Sequence, residues 1–346
     1  MSRRASVSSI ALWAALAWLP VHAAERVFVS STGIDRTNNV SPNGPRVKGA
    51  CEMPTPCRTF QAAHNAVSPG GEIVALDTAD YGPVTIAKSV AIIGLPGIVA
   101  GISAATGHGV TIASMKSDVQ VRLRNLYIQG VLPFGDWHGV SMTAGSSLTI
   151  ENCVIWNFSG SGVAVDAAAD VRIVDSVMRG NRDGAVIAGN ASADVVNSQF
   201  MGNGGSGLRV ESVSGTTSVS VSDSVASGNG IGFAAFGSSG IARMSVVRST
   251  ASSNFPTGFS AQRATAGARA DSARMTVSSS MASGNGTGFW NSGSTMTVGG
   301  STASGNSTGF RDDGVVGGSV FRSLGDNILR NNFTDFSGVR LTGSAW

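Results

Sequence analysis

The residues best suited to chemistry lie between Tyr127 and Asp183, in a chain that is otherwise rich in Gly, Ser and Val. The candidate binding residues are Tyr127, Asp136, Trp137, His138, Trp156, Arg179, Arg182 and Asp183. Aromatic rings stack on sugar rings, while Arg, Asp and His bind hydroxyl and carboxylate groups. This combination predicts a surface that binds glycans, particularly acidic ones. The alternative is that Trp137 and Trp156 only pack a long loop, residues 133–138, onto the body of the protein.

The same stretch does not identify a catalytic residue. Acid–base catalysis needs a titratable group within hydrogen-bond reach of the substrate. The segment from Met275 to Phe310 has no Asp, Glu, Lys, Arg or His, so an active site would lie in the first two-thirds of the chain or near an end. The four His and three Cys residues show no zinc-ligand spacing. We therefore assign no catalytic residue and expect no metal and no cofactor.

An internal repeat must position these residues. From about Val121 onward an Asn/Asp–Ser/Cys step recurs, followed by an Asn and then by a Gly–apolar pair. The recurring Asn residues, 21–31 residues apart, are Asn181, Asn203, Asn229, Asn254, Asn285 and Asn306. Short runs with period-two alternation, separated by Gly and Asn, indicate strands rather than helices. Short strands with this repeat length predict an all-β fold, a single-stranded right-handed parallel β-helix of about ten coils.

The repeat also predicts which side chains stack on one another. An apolar column inside the coils should contain Val163, Ala185, Leu208, Phe233, Phe259, Phe289 and Phe310. The Asn column should lie at a turn, where amides hydrogen-bond along the axis. The outward pairs expected on adjacent coils are Trp156–Arg179, Arg124–Glu151 and Arg172–Asp194.

A stack of coils has two exposed ends that need covering. An amphipathic segment, Arg58–Val67, predicts a short helix that covers the first coil with Phe60, Ala63, Ala66 and Val67. The expected organisation is a signal peptide at 1–23, an N-terminal segment with the capping helix at 24–68, the β-helix at 69–327 and a C-terminal cap at 328–346.

The first residues are typical of a secretory signal. Arg3 and Arg4 precede a short apolar run, Ile10–Leu19, and small residues follow it, so we expect cleavage after Ala23 or Ala24. The run is too short to span a bilayer, and no other segment approaches the length of a membrane helix. We therefore expect a secreted or periplasmic protein, with no membrane span after cleavage.

Export places the cysteines in an oxidising compartment. Cys51 and Cys57 lie six residues apart with Pro54 and Pro56 between them, and we predict a disulfide between the two cysteines. Cys153 occupies a position in the repeat that predicts a buried and inert thiol.

The charge excludes nucleic acid as a partner. The chain has 24 basic and 21 acidic residues, and loss of Arg3 and Arg4 with the signal leaves 22 against 21. This near-neutral balance, without a cluster of Lys or Arg, lacks the basic patch that binds phosphates. The oligomeric state is not determined by the sequence.

Four segments carry a resemblance to a known family. They are Val27–Asp35, Pro56–Ala63, Pro69–Ile73 and Tyr81–Val90. They resemble secreted bacterial right-handed β-helix proteins of the pectin-lyase-like superfamily, and the resemblance extends over nearly all of the mature chain. Relatives on this scaffold include lyases, hydrolases and epimerases of polysaccharides, adhesins and phage tailspikes, and many bacterial members of this type have no assigned activity. The resemblance therefore implies the fold and not the function.

The motifs of the enzymes on this scaffold are incomplete here. Polygalacturonase-type hydrolases use several Asp residues and a Gly-His-Gly, whereas Gly107-His108-Gly109 and Asp312-Asp313 stand in the wrong order. His108 is better explained as a turn residue. Pectate-lyase types need an acidic cluster for calcium and a basic residue, and this chain has Arg without such a cluster.

Two functions therefore remain open. The first is an exported binding or structural β-helix that interacts with glycans at the cell surface or outside the cell. The second is an enzyme acting on acidic polysaccharides, a lyase before a hydrolase, using Arg179, His138 and Asp136. Convergence of these groups in one groove with a perturbed pKa would favour the enzyme, and ion-paired charges on a flat face would favour binding.

Overall fold

The computed structural model describes residues 25–35, 51–114, 116–131, 135, 137–263, 271–314 and 319–338. The described residues form one helix, α1 (Phe60–Ala66), and 34 strands. The predicted signal peptide at 1–23 and Asp136 lie outside the described residues.

The strands follow one another in short succession along the chain. The first twelve are β1 (Arg26–Val29), β2 (Gly71–Ala75), β3 (Ala79–Asp80), β4 (Val84–Ile86), β5 (Val90–Gly94), β6 (Ala100–Ala104), β7 (Val110–Ile112), β8 (Gln120–Arg124), β9 (Leu126–Gly130), β10 (Val140–Met142), β11 (Ser147–Glu151) and β12 (Val154–Trp156). The next eleven are β13 (Ser161–Asp166), β14 (Asp170–Val174), β15 (Val177–Arg179), β16 (Asp183–Ala188), β17 (Ser192–Val196), β18 (Gln199–Met201), β19 (Ser206–Ser212), β20 (Thr216–Ser222), β21 (Val225–Ser227), β22 (Ile231–Gly237) and β23 (Ile241–Val247). The last eleven are β24 (Thr250–Ser252), β25 (Thr257–Arg263), β26 (Ala273–Ser278), β27 (Met281–Ser283), β28 (Thr287–Ser292), β29 (Thr295–Gly299), β30 (Thr302–Ser304), β31 (Thr308–Asp312), β32 (Val320–Ser323), β33 (Ile328–Arg330) and β34 (Thr334–Gly338).

Every third strand joins the same sheet, so the chain winds through three parallel sheets. Sheet 1 has 12 strands and runs from β1 through β2, β5 and every third strand thereafter to β32. Sheet 2 has 11 strands from β3 to β33, and sheet 3 has 11 strands from β4 to β34. The predicted right-handed parallel β-helix of about ten coils is confirmed.

The corner between sheet 1 and sheet 2 is a sharp turn with a left-handed residue. The residues at this position have φ angles between 47° and 57°, and they include Asn125, Asn152, Asp175, Asn197, Asp223, Arg248, Ser279 and Gly300. Asn and Asp tolerate this conformation better than other side chains, which explains the Asn/Asp step in the repeat. The next residue is a buried Ser in most coils, and its Oγ accepts an N–H from the preceding coil, as from Ser198 to Ser224 at 3.1 Å.

Cys153 takes the place of that Ser. Its N–H donates to Ser176 Oγ at 3.1 Å, and its thiol is buried. Burial raises the pKa of the Cys153 thiol to about 12. The predicted burial is confirmed, and because the thiolate is the reactive form we expect this thiol to be unreactive.

The corner between sheet 2 and sheet 3 carries the predicted Asn ladder. The backbone N–H of Asn229 donates to Asn254 Oδ1 at 3.0 Å, and its Nδ2 donates to the same oxygen at 3.0 Å. Asn254 Nδ2 donates in turn to the carbonyl of Ala226 at 3.0 Å. The same pattern joins the ladder residues Asn181, Asn203, Asn229, Asn254, Asn285, Asn306 and Asn332. Each buried amide is therefore paired, as buried polar groups must be.

The core contains the predicted apolar column of sheet 3. Strand pairing places the seven predicted residues in one register, and all are buried. The rings of Phe259 and Phe289 stack with centroids 4.9 Å apart and an interplanar angle of 10°. Large rings at the C-terminal end fill coils whose sheet 2 residues are small, for example Ala282 and Ala303.

Helix α1 lies at the N-terminal end against β1, β2 and β4, which agrees with the predicted cap. The Thr59 side chain caps the helix by accepting the N–H of Ala62 at 3.1 Å, and Phe60, Ala63 and Ala66 are buried. His64 is buried as well, and its Nε2 accepts the N–H of Ala87 at 3.3 Å. Burial, with the nearby charge of Lys88, lowers the pKa of His64 to about 4.

The stack extends beyond both boundaries expected from the sequence. Strand β1 pairs with β2, so the first strand of sheet 1 begins at Arg26 rather than after residue 68. Strands β33 and β34 pair with β30 and β31, so the coils continue past residue 327 to Gly338. At the C-terminal end the repeat continues, since Asn332 follows Asn306 in the Asn column and Phe336 pairs with Phe310. The remainder of the expected C-terminal cap, residues 339–346, lies outside the described residues.

The disulfide between Cys51 and Cys57 is present, with Cα atoms 4.8 Å apart. It closes a short loop beside β1, where Phe28 donates its N–H to the Cys51 carbonyl at 2.8 Å. Within the described residues, no helix is long and apolar enough to cross a membrane.

Candidate functional site

A groove crosses the outer face of sheet 3 over β10, β13, β16 and β19. Its volume is about 520 Å³. The polar side chains that line it include His138, Asp166, Arg182, Asp183, Arg209 and Glu211. The structure therefore brings three of the candidate residues, His138, Arg182 and Asp183, into one place.

His138 lies at the edge of the groove, just before β10. Its Nδ1 accepts the backbone N–H of Ser161 from the next coil at 2.9 Å. His108 does the same one coil earlier, accepting the N–H of His138 on its Nδ1 at 2.9 Å, and the two rings stack with centroids 5.1 Å apart. An imidazole that accepts on Nδ1 carries its proton on Nε2 when neutral. In both histidines Nδ1 therefore accepts a backbone N–H, and the neutral imidazole carries its proton on Nε2.

Asp183 occupies the same corner position two coils after His138 and is almost fully buried. Its Oδ1 accepts the N–H of Ser206 at 2.7 Å. Its Oδ2 lies 3.5 Å from Nη2 of Arg209 and 3.9 Å from Nε of Arg182. The carboxylate is thus held by a backbone donor and lies beside two guanidinium groups.

The charges along the groove are nearly balanced. Arg209 also lies 3.2 Å from Glu211, measured from Nε to Oε1. Two guanidinium groups, of Arg182 and Arg209, therefore face three carboxyl groups, of Asp166, Asp183 and Glu211. Such a surface offers both donors and acceptors, and it suits neutral sugar hydroxyls better than a polyanion. The groove therefore has no excess of positive charge that would favour the acidic glycans predicted from the sequence.

Trp137 lies on the long loop directly before His138 and is not among the residues that line the groove. Its ring makes an edge contact with His108, with centroids 5.6 Å apart, and a Cβ on Gly135 would come within 2.2 Å of its Nε1. About a third of Trp137, 37%, remains exposed. The indole thus packs against His108 and keeps part of its surface exposed.

Trp156 and Arg179 are on sheet 2, away from the groove lining. They are neighbours in β12 and β15, as expected, and the Arg179 guanidinium lies 5.1 Å from the centre of the Trp156 ring. Arg179 therefore covers one face of the indole, and that face is not open to a sugar ring. The two residues line a shallow depression with Met201.

Tyr127 is also on sheet 2 but in a different column. It pairs with Val154 rather than with Trp156 and is 45% exposed. It lines a separate depression with Leu95 and Arg124. The candidate residues are thus divided between two sheets.

Sequence reasoning missed Arg209 and Glu211 and interpreted His108 only as a turn residue. The signal for Arg209 was present, because Gly184–Ala185 and Gly207–Leu208 occupy equivalent repeat positions and the next residues, Val186 and Arg209, must then be adjacent. The stacking of His108 on His138 could not be read in this way, because the long loop between their coils has no counterpart in the repeat.

Other expected features of the surface are consistent with structural roles. Glu151 and Arg124 are paired, with 3.8 Å between Oε2 and Nε, and Arg172 is in register with Asp194. Exposed pairs of this kind contribute about 0–1 kcal/mol and indicate no function. The described part of the chain contains no group of three or more His, Cys, Asp or Glu side chains arranged to hold a metal ion.

Comparisons with known proteins agree with the fold. Residues 108–270 match the family model of the right-handed β-helix region. A crystal structure of pectate lyase Pel9A aligns with a TM-score of 0.59 and 16% sequence identity, covering 82% of this chain and 80% of that chain. A rhamnogalacturonan lyase aligns with a TM-score of 0.38 and 10% identity, covering 92% of this chain and 85% of that chain. None of the curated proteins matches the chain in sequence.

Proposed function

We propose that this chain, a right-handed parallel β-helix protein with the pectin-lyase-like fold, binds a glycan in the groove of sheet 3. The observation that carries the proposal is the convergence of His138, Arg182, Arg209 and Glu211 on one elongated surface. Arg209 and Glu211 are on strand β19, and His138 and Arg182 lie in the turns just before β10 and β16, which favours a preformed site with little ordering cost on binding. Trp137, which directly precedes His138 in the chain, offers a partly exposed aromatic ring outside the groove lining.

The groove favours binding over acid–base catalysis. A general base needs an available lone pair, and a general acid needs a proton that it can release. His138 Nδ1 is already an acceptor for Ser161, and Asp183 is held by Ser206 and Arg209. We infer that these groups orient the arginines and the loop rather than transfer protons.

We further propose that the protein acts outside the cytoplasm, at the cell surface or in the surrounding medium. The Cys51–Cys57 disulfide supports this placement, because structural disulfides persist in oxidising compartments. The sequence of residues 1–23 is of the secretory-signal type. Mass spectrometry of the mature N-terminus from a periplasmic or extracellular fraction tests the proposal. A chain that retains Met1 in the cytoplasm would contradict it.

The function is tested with a panel of neutral and acidic glycans, pectate included, applied to the wild type and to Trp137→Ala. Both binding and the absorbance of unsaturated products of β-elimination are followed. We expect the wild type to bind at least one glycan without forming product, and Trp137→Ala to bind it more weakly. Product formation that depends on Trp137 would make the protein a lyase instead. Absence of binding across the panel would contradict a glycan-binding role.

A further inference from the structure

An internal column of sheet 3 changes from apolar to polar at its C-terminal end. Along the stack its first eight members are Ile86, Ile112, Met142, Val165, Ile187, Val210, Ala235 and Ala261. The next two are Asn291 and Asp312, on β28 and β31, and both are buried like the residues before them. A carboxyl group therefore replaces an alkyl side chain inside the coil, far from the groove lined by Arg182 and Asp183.

Asn291 joins the polar groups of two coils. Its Nδ2 lies 3.0 Å from Asp312 Oδ1, 2.8 Å from Ser319 Oγ and 3.1 Å from the Ser294 carbonyl. Ser319 Oγ in turn donates to Asp312 Oδ1 at 3.0 Å. One oxygen of the Asp312 carboxyl group is thus satisfied twice.

The remaining oxygens of this cluster are buried without a partner in the protein. They are Asn291 Oδ1, Asp312 Oδ2 and Ser294 Oγ. Asn291 and Ser294 are fully buried, and Asp312 is 1% exposed. A buried polar atom without a hydrogen bond is costly, and here three such atoms belong to residues joined by hydrogen bonds through the Asn291 amide.

The charge of Asp312 has no cation to balance it in this cluster. The adjacent Arg311 faces outward, where it lies 2.6 Å from Asp313 and 5.1 Å from the centre of the Trp290 ring. The groups that contact Asp312 are the neutral side chains of Asn291 and Ser319. Burying a carboxylate is costly unless a positive charge is paired with it.

We propose that Asp312, Asn291 and Ser294 form an internal binding site for an oxygen-preferring metal cation. One carboxylate, one amide carbonyl and one hydroxyl are donors of the type that Ca²⁺, Mg²⁺ and Na⁺ accept. The ligands come from two coils, since Asn291 and Ser294 belong to one and Asp312 to the next. A bound cation would therefore contact two adjacent coils and stabilise the C-terminal end of the stack. Ser319, which donates a hydrogen bond to Asp312, is half-buried, so the cluster extends close to the protein surface.

The test uses the full chain and the neutral isosteric variant Asp312→Asn. The protein is stripped with a chelator and melted with Ca²⁺, Mg²⁺ or Na⁺ added singly. A ligand of the native state raises Tm, and at roughly a hundredfold above its Kd we expect a rise of about 5 °C in the wild type. Asp312→Asn should melt higher than the wild type without cations and should lose the cation-dependent rise. Asp313→Asn, an exposed neighbour, is the matched control and should keep that rise.

Terbium luminescence provides a second readout, because Trp290 directly precedes Asn291 and can sensitise a nearby Tb³⁺ ion. We expect sensitised emission in the wild type that Ca²⁺ displaces, with loss of the emission in Asp312→Asn and in Trp290→Phe. The proposal fails if none of the three cations raises Tm of the wild type, or if Asp312→Asn responds to them as the wild type does. Emission that persists in Asp312→Asn would also overturn it.

Discussion

The Nδ1 atom of His138 accepts the backbone N–H of Ser161 at 2.9 Å, and this contact defines how the groove can be used. It orients the imidazole, attaches the long loop to the next coil and places the ring proton on Nε2. The groove therefore contains a positioned donor rather than an available base. A binding role follows from this geometry more directly than a catalytic one.

The tautomer is the first testable prediction. Long-range ¹⁵N–¹H correlation spectra at neutral pH should show His138 and His108 as neutral imidazoles with the proton on Nε2, because each Nδ1 accepts a backbone N–H. The same spectra of Ser161→Pro, which lacks that N–H, should show His138 released from this state. A proton on Nδ1 of His138 in the wild type would contradict the hydrogen bond and the role assigned to it.

Phe289 tests the register of the core. Its ring is fully buried between Phe259 and Phe310, so Phe289→Ala removes stacking and leaves a cavity in the coil. We expect a loss of about 3–5 kcal/mol in the free energy of unfolding, measured with denaturant. Phe255→Ala is the matched control, since Phe255 is 80% exposed and should change stability by no more than about 0.5 kcal/mol. Equal effects of the two substitutions would refute the assigned register.

Asn254 tests the amide ladder. Asn254→Ala removes the acceptor for the N–H and Nδ2 of Asn229 and the donor to the Ala226 carbonyl, all of them buried. We expect a loss of about 1–3 kcal/mol from the groups left unpaired. Asn332→Ala, at the half-buried last position of the ladder, should cost less because water can replace its contacts. Both free energies of unfolding are measured with denaturant. Equal losses in the two variants would contradict a stabilising role of the buried amides.

His64 predicts how stability depends on pH. Its pKa is lowered from 6.5 to about 4 in the folded chain, first by burial and then by the charge of Lys88. The unfolded chain binds a proton at this site below pH 6.5, whereas the folded chain does so only below about pH 4. Stability from this group is therefore complete above pH 6.5 and falls between pH 6.5 and 4, by up to about 3 kcal/mol.

The measurement is denaturant unfolding at several pH values between 4 and 7, for the wild type and His64→Gln. Gln keeps a side chain that can accept the Ala87 N–H and does not titrate in this range. The free energy of unfolding should fall less steeply with decreasing pH in His64→Gln than in the wild type. The same pH dependence in both proteins would contradict a lowered pKa of His64 in the folded chain.

The fold could be predicted from the sequence because its determinants recur along the chain. Each coil repeats the same left-handed turn residue, buried Asn and Gly–apolar pair, so stacking of Phe233, Phe259 and Phe289 follows from alignment alone. The pairing of Trp156 with Arg179 follows in the same way. The approach of Arg179 over the Trp156 ring, which covers one of its faces, depends on side-chain conformation and is not visible in the repeat.

The groove was only partly predictable for a related reason. Arg182 and Asp183 were selected by residue type, but the burial of Asp183 depends on the N–H of Ser206 reaching it from the next coil. Tyr127 and Asp183 were grouped because they belong to the same polar stretch of the sequence. The winding of the chain places Tyr127 on sheet 2 and Asp183 on sheet 3. In a solenoid, neighbours on one face are one coil apart in sequence, so nearby residues commonly face in different directions.

The most direct test of glycan binding in the groove is the affinity of two arginine variants for the glycan selected by the panel. Arg182, on the rim of the groove, has a side chain 61% exposed, and Arg179 serves as the control on sheet 2. Calorimetry should show that Arg182→Ala binds about tenfold more weakly or worse, since a hydrogen bond from a charged donor contributes about 1.5–3 kcal/mol. Arg179→Ala should bind like the wild type. Loss of binding in Arg179→Ala with full affinity in Arg182→Ala would place the site on sheet 2 and contradict this account.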